Sequence, residues 1–399
     1  ENTSRLYLYP LERVESKVMI DPIKDQIKAQ ILAPSPENIA QVAKALLQDE
    51  VVGMPTETVY GLAGNARSPT ALARIFSTKE RPTFDPLIIH VSTQVQSLEH
   101  LAQLNLIDLQ KISTSQRGIL ETLIREFWPG PLTLILPKAQ GVPDLATSGL
   151  PTVGVRMPAH PVAQALIDAA DCPLAAPSAN RFGRISPTTA QAVMSELGDR
   201  IHWILDGGSC AVGVESTIIG LKPDSDEIQI LRPGGLAPEQ LERALGKSID
   251  LNSTTNSHGL SSLIQAPGML ESHYAPSQPL VLLPKVVQEL NSYDLEELKK
   301  QLLIIPPDAP IGALYLGGDP QLLSQKLGEL LKRVILGRSL SFKGDLSEAA
   351  QNLFQEMRNL EALQTPIILA EPCFHQTGLG FAIADRLKRA SAPKALHKS

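Results

Sequence analysis

From Gly246 to Pro279 the chain reads GKSIDLNSTTNSHGLSSLIQAPGMLESHYAPSQP, where Ser, Asn, Gly and Pro displace the apolar periodicity found on either side. Connections of about 30 residues without structure of their own are uncommon inside a compact domain, so this run reads as a linker between two folded units. The length agrees, because 399 residues exceed what one hydrophobic core usually serves. The expected organisation is an extension over residues 1–30, a first domain over 31–246, a linker over 247–279 and a second domain over 280–399.

Both units carry an α/β pattern. In the first, SPENIAQVAKALLQDE places Ser35 to cap a helix, Pro36 in its first turn, and Ile39, Val42, Ala43, Leu46 and Leu47 on one face. A strand follows from Val51 to Pro55. The Ser-Pro opening recurs at Ser68-Pro69 and Ser186-Pro187, and each predicts a helix start. Short apolar runs between helices (PLIIHV, LTLILP, TVGVRMP, HWILDGG, STIIGL, IQILRPGG) predict strands with irregular spacing, hence a mixed sheet. Beyond the linker, PLVLLP, GALYLGG and PIILAEP alternate with helical stretches ending near FAIADRLKRA, which predicts a smaller parallel α/β domain.

Composition narrows the function. A formal charge of −6 and 4% aromatic residues argue against a nucleic-acid coat or a membrane surface. Three scattered cysteines outside any C-x-x-C pair suit reduced thiols in a cytoplasmic protein. Prolines interrupt every apolar run before it reaches the ~18 residues of a membrane span. The opening ENTSRLYLYPLERVESK has charges where a secretory leader needs an apolar run. ALGKS lacks the leading glycine of a P-loop, and no histidine pair has metal-ligand spacing, so no protein-only metal site is expected.

In an acidic chain, cations and hydroxyls recur at strand ends beside Gly and Pro. Lys79, Arg81 and Thr83 precede the strand that ends at His90, and Arg156 stands in an apolar strand where it demands an anionic partner. Ser178 and Asn180 follow a short buried strand, Leu174 to Ala176. Glu215, Ser216 and Thr217 follow three glycines, and Arg232 ends another strand. One shared anionic ligand accounts for these placements together. In MPTETVYGLAGNA, Thr56, Thr58, Tyr60 and Glu57 crowd the mouth of a buried strand, as a small half-polar pocket would require.

The blocks PTETVYGL, KERPTFDPL, FWPGPLTLIL, VGVRMP, APSANRFGRISPT, DGG followed by GVESTI, and LRPGG occur in this order over residues 35–245. Together they resemble the YrdC-type threonylcarbamoyl-AMP synthases. The run PGMLESHYAP and the second domain resemble the two-domain long form. The resemblance implies a YrdC-like twisted mixed sheet joined to a Rossmann-like parallel domain, in a cytoplasmic nucleotidyltransferase. The implied reaction converts L-threonine, bicarbonate and ATP, with Mg²⁺ on the triphosphate, into threonylcarbamoyl-AMP and pyrophosphate. A tRNA threonylcarbamoyl transferase would consume the product; no stable nucleic-acid or membrane binding is implied.

By the same resemblance Thr56, His90, Arg156, Ser178 and Ser216 contact threonine or its carbamate. Lys79, Thr83, Thr152, Asn180, Thr188 and Arg232 contact ATP, Lys79 and Arg81 stabilise charge without a nucleophile, and Tyr274 folds over the nucleotide from a linker that acts as a lid. Where the family has Asn before Pro-Leu, this chain has Asp85, which turns away from phosphate, helps hold Mg²⁺, or holds Arg81. The alternatives are an RNA-binding module without ATP turnover and a carbamoyl transferase, the latter opposed by the lack of zinc-finger-like Cys pairs.

Overall fold

The computed structural model describes residues 27–222, 225–249, 273–375 and 377–392. Of the expected extension and linker, residues 1–26 and 250–272 lie outside the described residues. The first unit begins β1 (Gln30–Leu32), α1 (Pro36–Leu47), β2 (Val52–Met54), β3 (Gly61–Asn65), α2 (Pro69–Lys79), β4 (Ile88–His90), α3 (Leu98–Gln103), α4 (Thr114–Phe127) and β5 (Leu132–Pro137). It continues with α5 (Asp144–Thr147), β6 (Thr152–Arg156), α6 (Pro161–Ala170), β7 (Leu174–Ala175), α7 (Ala190–Leu197), β8 (Trp203–Leu205), β9 (Thr217–Leu221), β10 (Ile228–Arg232) and α8 (Pro238–Leu245). Its strands form one mixed ten-stranded sheet in the order β1-β8-β2-β3-β7-β4-β6-β5-β9-β10.

The second unit comprises β11 (Leu280–Leu282), α9 (Ser292–Gln301), β12 (Ile311–Tyr315), α10 (Pro320–Leu331), β13 (Ile335–Ser339), α11 (Leu346–Ala362), β14 (Ile368–Ala370) and α12 (Gly380–Ser391). Its four strands are all parallel, in the order β11-β14-β12-β13.

Capping explains two of the three Ser-Pro starts. The Ser35 and Ser68 hydroxyls each accept a backbone N–H three residues on, at 3.2 Å, and proline occupies the first turn. Ser186-Pro187 behaves differently: α7 begins later, capped by Thr189, and the Ser186 hydroxyl is drawn instead to the Glu215 carboxylate at 2.5 Å. The bond to the carboxylate is charge-assisted, and the capping acceptor for α7 is supplied by Thr189 instead.

The two units share a core. Val59, Ile185, Val214 and Tyr274 from the first unit and the linker end pack in one apolar cluster with Leu353, Phe354 and Met357 of α11. Polar ties frame it: Arg358 pairs with Glu196 at 2.9 Å, Arg184 with Glu361 at 2.9 Å, and the Gly378 N–H donates to Glu239 at 3.1 Å. Gly213 lies against α11 with φ +80°, and a Cβ there would overlap the backbone of Ala350 and Gln351. The second unit therefore rests on the loops that carry the first unit's polar residues.

Candidate active site

Register brings distant residues into line. His90 on β4 pairs with Arg156 on β6, Arg156 with Thr133 on β5, Thr133 with Ile218 on β9, and Ile218 with Arg232 on β10. Directly paired residues point to the same face of a sheet, so this row sets two arginines and a histidine across five strands, about 19 Å at ~4.8 Å per step. A register shift between Ile230 and Arg232 breaks the alternation of β10, and such an irregularity can re-aim a side chain.

A cavity of about 50 Å³ lies over this row. Thr58, Arg81, Ile88, His90, Arg156, Ser178, Glu215, Ser216, Arg232, His273 and Tyr274 are among the residues that line it. Ordinary ligand sites measure ~300–1,000 Å³, so the space here is constricted. His273 and Tyr274 contribute part of its wall: both are buried, their rings meet edge-on with centroids 4.1 Å apart, and Tyr274 holds φ at +62°.

Each cation here has its own anion or carbonyls. Arg81 pairs with Asp85 at 2.8 Å and donates to the Asp85 and Pro86 carbonyls. Arg156 pairs with Glu57 at 2.7 Å and donates to the Thr58 hydroxyl at 2.9 Å, so the anionic partner its strand position demands sits in PTET. Arg232 donates to the Ser216 carbonyl at 3.0 Å and to its hydroxyl, which in turn lies 2.7 Å from Thr133. Gly234 permits this contact, since a Cβ there would overlap the backbone from Glu215 to Thr217.

Lys79 lies behind the cavity wall. It is 1% exposed, and its ammonium donates to the Ser178 and Asn180 carbonyls. Burial, reinforced by Arg81, pulls its pKa well below the lysine range. Asn180 is buried beside it, its amide donating to the Arg181 and Arg184 carbonyls. Lys79 thus anchors the loop that presents Ser178.

Other expected contacts stand apart. The Thr56 hydroxyl donates to the Val59 carbonyl at 2.6 Å and accepts the Thr58 N–H, so it closes a local turn while Thr58 reaches the cavity. Thr188 is buried outside the lining, with its carbonyl accepting the Cys210 N–H. Thr83 is exposed. Thr152 starts β6, at the end opposite Arg156, and lines a separate groove with Lys111, Ser113 and Lys222.

Burial, and then Arg156, push the His90 pKa down to about 3. Between about 3 and the ordinary 6.5 the unfolded chain binds a proton at this histidine that the folded chain refuses, so stability rises with pH across that window and falls on acidification. His90→Gln removes this contribution. Its melting temperature is expected to drop less than the parent's between pH 7.5 and pH 4.5; an equal drop in both would show that His90 does not carry it.

Residues 44–234 match the Sua5–YciO–YrdC family model, which bears the description "Telomere recombination", and residues 236–392 match that of the threonylcarbamoyl-AMP synthase C-terminal domain. The threonylcarbamoyl-AMP synthase of Pyrococcus abyssi is 36% identical over 351 residues, 86% of this chain and 91% of that protein. The chain belongs to the threonylcarbamoyl-AMP synthase family. The Bacillus subtilis member is 35% identical over 92% of this chain and 96% of its own length. The crystal structure of P. abyssi Sua5 complexed with L-threonine superposes with a TM-score of 0.74 at 34% identity, covering 91% of this chain and 98% of that one.

The sequence places Glu57 and Glu215 near the site without naming a partner for either, and it assigns no role to Thr133, although each sits in or beside a quoted block. Thr133 had the same signal as Arg156, a polar residue in an apolar strand. Arg386, which reaches Glu215 from the last helix, had none.

Proposed function

We propose that this chain joins L-threonine, bicarbonate and ATP into threonylcarbamoyl-AMP and pyrophosphate, the activating step of threonylcarbamoyl transfer to tRNA. The observation that carries the reading is one narrow cavity in which Arg81, Arg156 and Arg232 converge with small donors, in a chain that belongs to this family. Carbamate forms when the threonine amine adds to carbon dioxide, and a carbamate oxygen then displaces pyrophosphate from the α-phosphorus. Two anions must approach, at a cost of about 1 kcal/mol per unit-charge pair at 4 Å in water and several-fold more in a drier site. The protein's contribution is positioning and charge neutralisation rather than a nucleophile.

In this reading Arg156 receives the carboxylate or carbamate by exchange with Glu57, and Arg81 and Arg232 face the phosphates. His90, neutral at working pH, offers a hydrogen bond without adding charge. A half-polar pocket bounded by Thr58, Ser178 and Ser216 selects threonine by its hydroxyl. The triphosphate needs more room than this narrow cavity offers, so in this reading His273 and Tyr274, which form part of its wall, shift to admit it.

Mg²⁺ travels with the triphosphate. Glu215, Asp85 and Glu57 are already engaged by arginines, and among the described residues no group of three His, Cys, Asp or Glu is placed to hold a metal. When bound, the ion would supply positive charge to the phosphates.

The direct test is pyrophosphate release in the presence and absence of threonine and bicarbonate. Release that ignores threonine, or turnover that requires carbamoyl phosphate, would overturn the reading. Lys79→Met is expected to lower threonine-dependent release at least ~10-fold with circular dichroism unchanged, since the Ser178 loop loses its anchor. Parent-like turnover would remove Lys79 from the site. Among the described residues no helix is long and apolar enough to cross a membrane.

A further inference from the structure

Of the polar residues in the cross-strand row, Thr133 alone stays out of the cavity lining. It stands on β5 between Arg156 and Ile218, 0% exposed, in a strand otherwise built from Leu, Ile and Pro. Its hydroxyl oxygen lies 2.7 Å from that of Ser216, which does line the cavity. Its methyl carbon sits over Gly154 of β6, 3.5 Å from the point where a Cβ would stand. A β-branched side chain has few rotamers, so packing the methyl group there holds the hydroxyl toward Ser216.

Counting protons gives this contact a direction. A hydroxyl carries one proton and two lone pairs. Ser216 Oγ accepts an N–H from Arg232 Nη2 at 3.2 Å, which occupies one lone pair. Among the described residues the Thr133 hydroxyl has no hydrogen-bond partner other than Ser216. If Ser216 donated to Thr133, the Thr133 proton would be sealed in the core without an acceptor, and an unmade buried bond is costly. Thr133 therefore donates. Both lone pairs of Ser216 are then filled, and its own proton is left to face the cavity.

We propose that Thr133 is a positioning residue of the active site: it fixes Ser216 as a hydrogen-bond donor, aimed at an acceptor oxygen of threonine or its carbamate. This rests on the threonine-dependent reading above. A proton facing an anionic oxygen attracts it, whereas a lone pair in the same place repels it, so the direction of one hydroxyl decides the sign of the contact. Without Thr133 the Ser216 hydroxyl regains its rotation, and part of its population turns the wrong side to the substrate.

The test compares full-length variants by equilibrium binding of L-threonine and by steady-state pyrophosphate release. Thr133→Val keeps the branched shape and the strand preference while removing the hydroxyl. It is expected to raise the KM for threonine at least ~5-fold, with kcat and the KM for ATP changed less than ~3-fold, the split left when ground-state binding is lost. Thr133→Ser, which keeps the hydroxyl, is expected to bind threonine within ~3-fold of the parent. In a Ser216→Ala background, where no hydroxyl remains to orient, adding Thr133→Val is expected to change the KM for threonine less than ~2-fold.

A lower melting temperature in Thr133→Val with an unchanged KM for threonine would reduce Thr133 to a structural bridge between β5 and β9 and overturn the proposal. An equal loss in Thr133→Ser would assign the effect to shape, and a full further loss in the Ser216→Ala background would show that Thr133 acts by a route other than Ser216; each overturns it as well. A parent chain that binds threonine but releases no pyrophosphate would refute the functional reading and leave this binding comparison legible.

Discussion

Arg156→Ala is expected to lower threonine-dependent pyrophosphate release at least ~100-fold, the equivalent of about 2.7 kcal/mol at 1.36 kcal/mol per tenfold step. The arginine stands near the middle of the cross-strand row, with His90 paired to one side and Thr133 to the other. Truncation takes away the cation and leaves Glu57, 9% exposed, without its counter-charge next to a site for anions. Breaking a buried pair by removing one partner costs about 3–5 kcal/mol of stability, so the variant also melts earlier. Adding Glu57→Gln separates the two losses: stability recovers as the stranded charge goes, while turnover stays low. Recovery of turnover in that double variant would mean that Arg156 matters only as the keeper of Glu57.

Gly213→Ala tests whether the second unit rests on the site loops as closely as the backbone contact implies. Holding a residue with a side chain at φ +80° costs about 1–3 kcal/mol, and the overlap with Ala350 and Gln351 adds about 1–3 kcal/mol of overpacking. Gly208 supplies the control, because it holds φ +79° with open space where a Cβ would go. Gly208→Ala should show the backbone cost alone. The expected result is a fall in melting temperature clearly larger for Gly213→Ala, accompanied by weaker ATP retention. Equal falls would indicate that α11 yields to the added methyl group.

Much of this architecture is legible in the sequence because its strands are short, apolar and bounded by proline or glycine. LTLILP and TVGVRMP become β5 and β6 within a residue or two. By contrast, GLAGN and ILGRS are strands that lack β-branched density, so β3 and β13 leave little trace. The Ser186-Pro187 start is displaced: α7 begins at Ala190 with Thr189 as its cap, while the Ser186 hydroxyl donates to a carboxylate 29 residues away, a contact that local rules do not foresee.

The site divides along the same line. Arg156 announces itself, since a cation in an apolar strand needs a partner. Which anion answers is a matter of loop packing, and the sequence holds Glu57 two residues from Val59 without saying so. Arg386 is beyond such reasoning altogether. LKRA reads as an ordinary basic helix end, and only the docking of two units turns one of its neighbours inward.

Arginines crowded into one small cavity ought to make its folding self-defeating, since like charges at close range repel. The chain avoids this by carrying its own counterions: Asp85 for Arg81, Glu57 for Arg156, and Glu215 between Arg232 and Arg386. The apo protein can therefore assemble without substrate as a template, and its melting should be nearly indifferent to added salt. Incoming anions then meet a resin already loaded with internal carboxylates, so uptake is a swap of partners rather than the filling of an empty well.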